Sequence, residues 1–180
     1  QVLQDIIDAN PILEGETPLG MDSDLLEISW LNGRLDDLYF WTNQIISIPE
    51  SIGNLSSLEE LLLYENQLTN LPESIGNLSN LVGLAAENNQ LTSLPESLWK
   101  LSNLTELHCN NNLIKNLPES IGKLENLQRL QISSNKLFSL PESIGTLSHL
   151  EYMDVSRNQM TYLPKTICRL HLNIYFNSFI

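Results

Sequence analysis

The sequence predicts an α/β solenoid in which successive coils of equal length each add one strand to a parallel sheet on the concave side and one short 3-10 or irregular helical segment to the convex side. Two periodic residues and one alternating pattern predict it. Asparagines lie 23 residues apart, at Asn43, Asn66, Asn89, Asn112, Asn135 and Asn158. Prolines keep the same spacing, at Pro49, Pro72, Pro95, Pro118, Pro141 and Pro164.

The strand of each coil is predicted from short alternating segments such as Leu107-His108-Cys109. Successive side chains of a strand point to opposite faces, so the first and third point inward and the middle one outward. A parallel sheet covered on both faces would be apolar throughout. One face of this sheet must therefore meet solvent or a partner.

The other half of each coil, for example 94–101, carries apolar residues three positions apart. This spacing suits a 3-10 turn or a short irregular helix. Strands stack about 4.8 Å apart and helical segments need more room, so the coils should bend with the strands on the concave side. The repeated Pro-Glu-Ser phrase is interpreted as the start of the turn, where Ser or Glu satisfies backbone groups.

The repeated asparagine is expected to be buried where the strand turns away. Its amide offers two donors and an acceptor, which suit the free backbone groups of its own and the adjacent turn. The alternative is that asparagine merely tolerates the turn conformation.

One full copy of the repeat, residues 58–68, follows the pattern L-x-x-L-x-L-x-x-N-x-L. The chain resembles the leucine-rich-repeat family, in its bacterial type with 23-residue repeats, from Leu35 to about Ile180. The resemblance implies a horseshoe-shaped protein-binding module, exported and contacting host or surface partners. It is also similar to cytoplasmic scaffolds that engage small GTPases. A third possibility is the substrate-selecting region of an enzyme whose catalytic domain lies outside these residues.

Two regions are predicted, an N-terminal cap over residues 1–34 and a solenoid over residues 35–180 with a shortened last repeat. The cap should comprise a short amphipathic helix that ends at Asn10-Pro11, followed by a strand that turns at Asn32-Gly33.

The last repeat is interpreted as four residues short, which would place Asn173 beside Asp154 and Tyr175 beside Ser156. The apolar edge near 172–177 could be a compact cap, a chain boundary or a homodimer contact.

Charge is distributed unevenly along the chain. Through Trp99 sixteen acidic residues face one basic residue, a net charge of −15, whereas from Lys100 onward eight basic residues face six acidic ones, a net charge of +2. Such a field repels phosphate backbones, argues against a nucleic-acid partner and favours a basic one, although solubility is an alternative reason for the excess. No apolar run is long enough to predict a membrane span.

The candidate binding site consists of outward strand positions that change from coil to coil. The predicted partner-binding residues are Tyr39, Trp41, Leu62, Tyr64, Glu87, His108, Asn110, Arg129, Gln131, Tyr152 and Tyr175. The four at the N-terminal end should form an apolar and aromatic patch rimmed by Asp37, Glu60, Glu65 and Glu87, as in a binding hot spot. The alternative is that Tyr39 and Trp41 close the cap. A smaller patch combines Tyr152, Tyr175 and Phe176.

No motif for catalysis, metal binding or a cofactor occurs, so the chain is predicted not to be an enzyme. Cys109 replaces a core leucine and should behave as a small hydrophobe. Cys168 is expected on the convex side, too far from Cys109 for a disulfide. The family resemblance implies a secreted or cell-surface location, with the cytoplasm as the alternative.

Overall fold

The computed structural model describes residues 1–10, 26–31, 34–40, 44–170 and 173–175. The N-terminal part contains helix α1, Val2–Asp8, and the long strands β1, Leu26–Leu31, and β2, Arg34–Phe40. Six three-residue strands follow at β3 Glu60–Leu62, β4 Gly83–Ala85, β5 Glu106–His108, β6 Arg129–Gln131, β7 Tyr152–Asp154 and β8 Asn173–Tyr175. The expected turn residues Asn32 and Gly33 lie outside the described residues.

All eight strands form one sheet in chain order. β1 pairs antiparallel with β2, and every later neighbour pairs in parallel. From β2 to β7 the register advances by one 23-residue coil, so Leu61 lies beside Leu84 and Leu84 beside Leu107. The predicted solenoid with a parallel sheet is confirmed, whereas its division into a cap over 1–34 and a solenoid over 35–180 stays a prediction.

The hydrophobic core lies between the sheet and a row of convex 3-10 helices. The strands contribute inward side chains such as Leu61, Leu84 and Leu107, all buried. The described 3-10 helices span Glu50–Asn54, Glu73–Asn77, Glu96–Lys100, Glu119–Lys123, Glu142–Thr146 and Lys165–Arg169. Each begins after an extended proline, whose fixed φ and missing N–H suit a helix start. In the described ranges, no helix is both long and apolar enough to cross a bilayer.

A ladder of asparagine side chains joins each coil to the preceding one. Its described members are Asn66, Asn89, Asn112, Asn135 and Asn158; the first four are buried and the last is half-buried. Oδ1 of Asn89 accepts a hydrogen bond from the Leu68 N–H at 2.9 Å, and Nδ2 donates to the Leu63 carbonyl at 2.8 Å. Nδ2 also contacts two carbonyls of its own coil, at 3.2 and 3.3 Å. The predicted bonding to both turns is confirmed; Asn43 lies outside the described residues.

A second ladder runs along the convex side, where glutamates bond to the next 3-10 helix. Its members are Glu50, Glu73, Glu119 and Glu142. The Glu119 carboxylate accepts hydrogen bonds from the N–H groups of Glu142 at 3.2 Å and Ser143 at 2.9 Å. Hydrogen bonds from these backbone groups, above all that of Ser143, therefore lower the pKa of Glu119. The glutamate of Pro-Glu-Ser does satisfy backbone groups, but those of the neighbouring coil.

This glutamate ladder is interrupted at Trp99, which occupies a position where four other coils carry glycine. At Gly76 an added Cβ would lie 2.6 Å from the Ser97 carbonyl oxygen, so glycine permits close approach there. Trp99 is buried, and its indole N–H has no hydrogen-bond partner. The 3-10 helix that contains Trp99 packs normally on the preceding helix but less closely on the following one, Glu119–Lys123. In the described chain the N–H of Glu96 donates to Glu73, but the Glu96 carboxylate accepts no hydrogen bond from the next 3-10 helix, which follows from this separation.

Asn10 fastens α1 to the first coil. Its Nδ2 donates to the carbonyls of Ile6 and Ser47 at 2.7 and 2.9 Å, and its Oδ1 accepts from the N–H groups of Ile46 and Ser47. The side chain is completely buried. Asn10 thus marks the end of the helix, as the sequence predicts, and also bonds the backbone of the first coil, a role that the sequence analysis misses.

The predicted register of the last coil is wrong. Met153 pairs with Ile174, 21 residues on, so this coil is two residues short and not four. Tyr175 consequently lies beside Asp154, and Asn173 lies beside Tyr152. The leucine pattern misleads here because Leu172 resembles an inward strand position, whereas pairing selects Ile174.

Candidate functional site

The outward face of the sheet carries three rows of side chains that run across the coils. The upstream row contains Asp37, Glu60, Gly83, Glu106, Arg129 and Tyr152. The central row contains Tyr39, Leu62, Ala85, His108, Gln131, Asp154 and Tyr175. The downstream row, two residues further on, contains Tyr64, Glu87, Asn110, Ser133 and Ser156. The structure thus brings the predicted residues, apart from Trp41, into one continuous surface.

The N-terminal aromatic patch is present in part. Tyr39 pairs with Leu62 across β2 and β3, and both are half-buried, as is Tyr64. Trp41, which the sequence predicts to be the fourth member, lies outside the described residues, as does Phe176 of the second patch. Partner binding and cap closure both stay predictions for Tyr39 and Trp41. Leu62 and Tyr64 face the concave side.

A depression of about 280 Å³ opens on the concave face at β4. It lies where Gly83 and Ala85 replace larger side chains in the upstream and central rows, and the Glu60 carboxylate extends over Gly83. Its remaining walls come from Glu60, Leu62, Tyr64, Glu87, Glu106 and His108. Two acids predicted to form a rim, Glu60 and Glu87, therefore line a concavity together with apolar side chains.

The carboxylates of this depression lie in a negative and partly desolvated environment. Burial raises the pKa of Glu60, and the charges of Asp37, Glu106 and Glu59 raise it further. Burial also raises the pKa of Glu87, whose Oε2 is buried without a hydrogen-bond partner. Among the described side chains, neither glutamate has a lysine or arginine partner. The site would favour a ligand that supplies positive charge.

His108 lies between two acids at the C-terminal wall of the depression. Its Nδ1 is 3.7 Å from Oε1 of Glu87, and its Nε2 is 3.5 Å from Oε2 of Glu106. Glu106 also lies 3.5 Å from Nε of Arg129, and both side chains are about half exposed. An ion pair exposed to this degree contributes little to stability, so Arg129 remains available to a partner.

Polar side chains continue the surface beyond His108. Nδ2 of Asn110 donates to Oε1 of Gln131 at 3.0 Å, and Oδ1 of Asn110 accepts from the N–H of Ser133 at 2.8 Å. Gln131 Nε2 lies 3.4 Å from His108 Nε2. These mutual hydrogen bonds hold the predicted residues His108, Asn110 and Gln131 in fixed positions, which lowers the entropy lost when a partner binds.

Two tyrosines form a second aromatic patch at the C-terminal end. The rings of Tyr152 and Tyr175 are 5.3 Å apart with a 41° angle between their planes. Tyr175 is 55% exposed. The corrected register makes this contact possible, because it places Tyr175 beside Asp154, diagonally opposite Tyr152, and not beside Ser156, which is further along the strand.

The described residues include no group of three metal-ligating side chains. Cys109 is buried and Cys168 is exposed, and both thiols are free, as the sequence predicts. Nδ1 of His149 donates a 2.8 Å hydrogen bond to the Glu125 carbonyl, at the position where neighbouring coils use Asn103 and Asn126. Its role is therefore structural.

Sequence reasoning places Gly83, Ala85 and Glu106 in the outward rows but does not include them among the partner-binding residues. The signal was present, since Gly83 and Ala85 are the smallest residues of their rows and follow one another on the same strand. Their meaning depends on neighbours one coil away, because a small residue creates a cavity only where larger side chains stand on both sides.

Solved structures with the same fold include bacterial and plant proteins. A leucine-rich-repeat protein of Leptospira interrogans is 34% identical, with a TM-score of 0.56, 74% of this chain covered and 42% of that one. The Arabidopsis thaliana receptor kinase GASSHO1/SCHENGEN3, in complex with CASPARIAN STRIP INTEGRITY FACTOR 2, is 34% identical, with a TM-score of 0.70 and coverage of 80% and 19%. The plant peptide hormone receptor RGFR1, in complex with RGF2, is 26% identical, with a TM-score of 0.71 and coverage of 83% and 28%. The chain thus spans less than half of each.

No curated protein sequence matches the chain significantly. A family profile described as leucine-rich repeat region matches residues 33–133, and a second, described as leucine rich repeat, matches residues 125–178. Such repeats commonly mediate protein–protein interaction and are generally not enzymes. By these matches and by its coiled parallel sheet, the chain belongs to the leucine-rich-repeat family.

Proposed function

We propose that this chain is a protein-binding module and that its partner docks on the concave face of the sheet. The observation that carries the proposal is the contrast between the two faces. Inward positions repeat apolar residues and pack on the core, whereas the three outward rows vary and carry aromatic, acidic and amide side chains. Packing does not require that variety, and aromatic anchors with a polar surround suit a protein interface.

The receptor complexes support this proposal, because GASSHO1/SCHENGEN3 and RGFR1 share the fold and were solved with their ligands. We propose further that the chain works outside the cell or at its surface, in a bacterium, and contacts host or surface partners. The Leptospira protein is a bacterial relative in sequence and fold. Immunoblotting of medium, surface and cytoplasmic fractions of the source cell tests the location, and a cytoplasmic signal alone would contradict it.

Site-specific photo-crosslinking tests the docking face. A photoreactive phenylalanine analogue is placed at Tyr39 or at Tyr175 on the concave face, or at Tyr162, which lies outside the sheet. Tyr162 is a matched control because it is 60% exposed, close to the 55% of Tyr175. We expect the same protein to be cross-linked from both concave positions and not from Tyr162. Cross-linking from Tyr162 alone would refute the concave face.

Alanine substitutions then separate binding from folding. Tyr64→Ala and Trp41→Ala should weaken capture of the cross-linked partner and leave the melting temperature nearly unchanged. Tyr162→Ala should leave both unchanged. A large melting loss with intact binding would assign Tyr64 or Trp41 to the core. If the chain is instead a cytoplasmic scaffold, the immobilised chain should capture a small GTPase, and this capture should depend on the nucleotide that the GTPase carries.

A further inference from the structure

The depression at β4 arises from a difference in side-chain size between neighbouring coils. In the central row Ala85 stands between Leu62 and His108, and in the upstream row Gly83 stands between Glu60 and Glu106. The surface over the middle strand is therefore lower than the surface over the strands on either side. Its volume of about 280 Å³ is slightly below the range of pockets that enclose drug-sized ligands. A space of this size suits one long side chain of a partner.

The chemistry of the walls defines the kind of side chain. Leu62, Ala85 and the ring of Tyr64 offer apolar contact, while Glu60, Glu87 and Glu106 supply carboxylates. A long basic side chain combines an apolar stem with a positive end, and a guanidinium group can also stack on an aromatic ring. An acidic or neutral polar group would leave the desolvated carboxylates without compensation.

The glutamates also lack internal compensation. In the described part of the chain, Glu60 forms no salt bridge, and Glu87 approaches only His108, at 3.7 Å. Arg129, the nearest basic residue in the rows, lies beside Glu106 and not beside Glu60 or Glu87. Burial raises the pKa of both Glu60 and Glu87, and for Glu87 the nearby His108 offsets only part of this increase.

We propose that this depression binds one arginine or lysine side chain of the protein partner, so that the partner presents a basic residue to the middle of the concave face. The proposal rests on the proposed function and specifies the partner's chemistry. Binding should weaken as salt concentration rises, because the attraction is between charges that are partly exposed.

Nuclear magnetic resonance titration of the ¹⁵N-labelled chain tests this pocket without the natural partner. The probes are the capped peptide Gly-Arg-Gly and the same peptide with citrulline, a neutral isostere of arginine. We expect the arginine peptide to shift the amide signals of Gly83, Ala85 and His108, and the citrulline peptide to bind roughly tenfold more weakly. Equal binding of both peptides, or shifts elsewhere only, would overturn the proposal.

Three variants separate charge from shape. Glu87→Gln should weaken binding of the arginine peptide by roughly tenfold, which corresponds to the loss of one charge-assisted hydrogen bond. Ala85→Leu should abolish binding of the arginine peptide without a change in net charge, because a leucine, as found at the equivalent position Leu62, fills the depression. Glu96→Gln is the matched control, since it removes the same charge on the convex side and should have no effect. Equal losses of peptide affinity with Glu87→Gln and Glu96→Gln would show that binding depends only on net charge, and would overturn the proposal.

Tighter binding of spermidine than of the arginine peptide would assign the depression to free polyamines and also overturn the proposal. These outcomes are separable from the proposed function. If the peptide experiments fail while cross-linking still labels the concave face, the partner docks there without a basic side chain in the depression. If cross-linking places the partner elsewhere, the proposed function itself fails.

Discussion

Removal of one ladder asparagine should leave one buried backbone donor without a partner. In Asn89→Ala the Leu68 N–H loses its only hydrogen bond, which joins it to Oδ1 of Asn89 at 2.9 Å. The carbonyls that Asn89 contacts keep other donors. Leu63 retains the side chain of Asn66 at 3.2 Å, and Ala86 retains that of Asn112 at 2.8 Å. Only one group is therefore newly unsatisfied.

The expected cost follows from that single orphaned group. Leu68 is completely buried, so water cannot replace the lost acceptor without opening the coil. Leaving a buried donor unsatisfied costs about 1–3 kcal/mol. For a domain of this length, that loss lowers the melting temperature by roughly 2–4 °C per kcal/mol.

Urea denaturation followed by circular dichroism measures the loss as a change in the free energy of unfolding at constant m-value. Gln90→Ala is the control, because this exposed neighbour should change stability by less than about 0.5 kcal/mol. Asn158→Ala should cost less than Asn89→Ala, since Asn158 is only half-buried. If Asn89→Ala is as stable as Gln90→Ala, the ladder does not stabilise the coils and the asparagines serve only the turn conformation.

Three further predictions concern the convex layer and the thiols. The lowered pKa of Glu119 means that its contribution to stability is present above the ordinary carboxyl pKa and is lost as pH falls through the folded-state value. Glu119→Gln should therefore lower the free energy of unfolding at pH 7 more than Glu96→Gln does, and this difference should vanish in acid. A pH-independent difference would contradict the prediction. Trp99→Gly should lower the free energy of unfolding by about 3 kcal/mol by leaving a cavity, and an unchanged unfolding midpoint would show that the 3-10 helices close over it. Ellman's reagent should react with one thiol, Cys168, in the native protein and with two thiols in guanidinium chloride, because burial raises the pKa of Cys109 and shields its thiol from the reagent. Rapid reaction of both thiols in the native state would refute the prediction.

The solenoid can be predicted from sequence alone, because each coil buries the same kinds of residue at the same positions. The spacing of Asn89 and Pro95 from their equivalents fixes the coil length, and alternation along the strand fixes which side chains point outward. These are local, periodic constraints, so they can be recognised without knowledge of any contact. They fail at the last coil, where the period itself changes and Leu172 and Ile174 both fit the inward position.

Features that depend on neighbours one coil away become visible only in the folded chain. Gly83 and Ala85 are recognisably small in sequence, but the depression depends on their neighbours, Glu60 and Glu106 for Gly83 and Leu62 and His108 for Ala85. The convex layer shows the same dependence at Trp99, which replaces a glycine and interrupts the glutamate ladder. The physical reason is that cavities, desolvation and pKa shifts arise from side chains 23 residues apart in sequence but about 5 Å apart across the sheet.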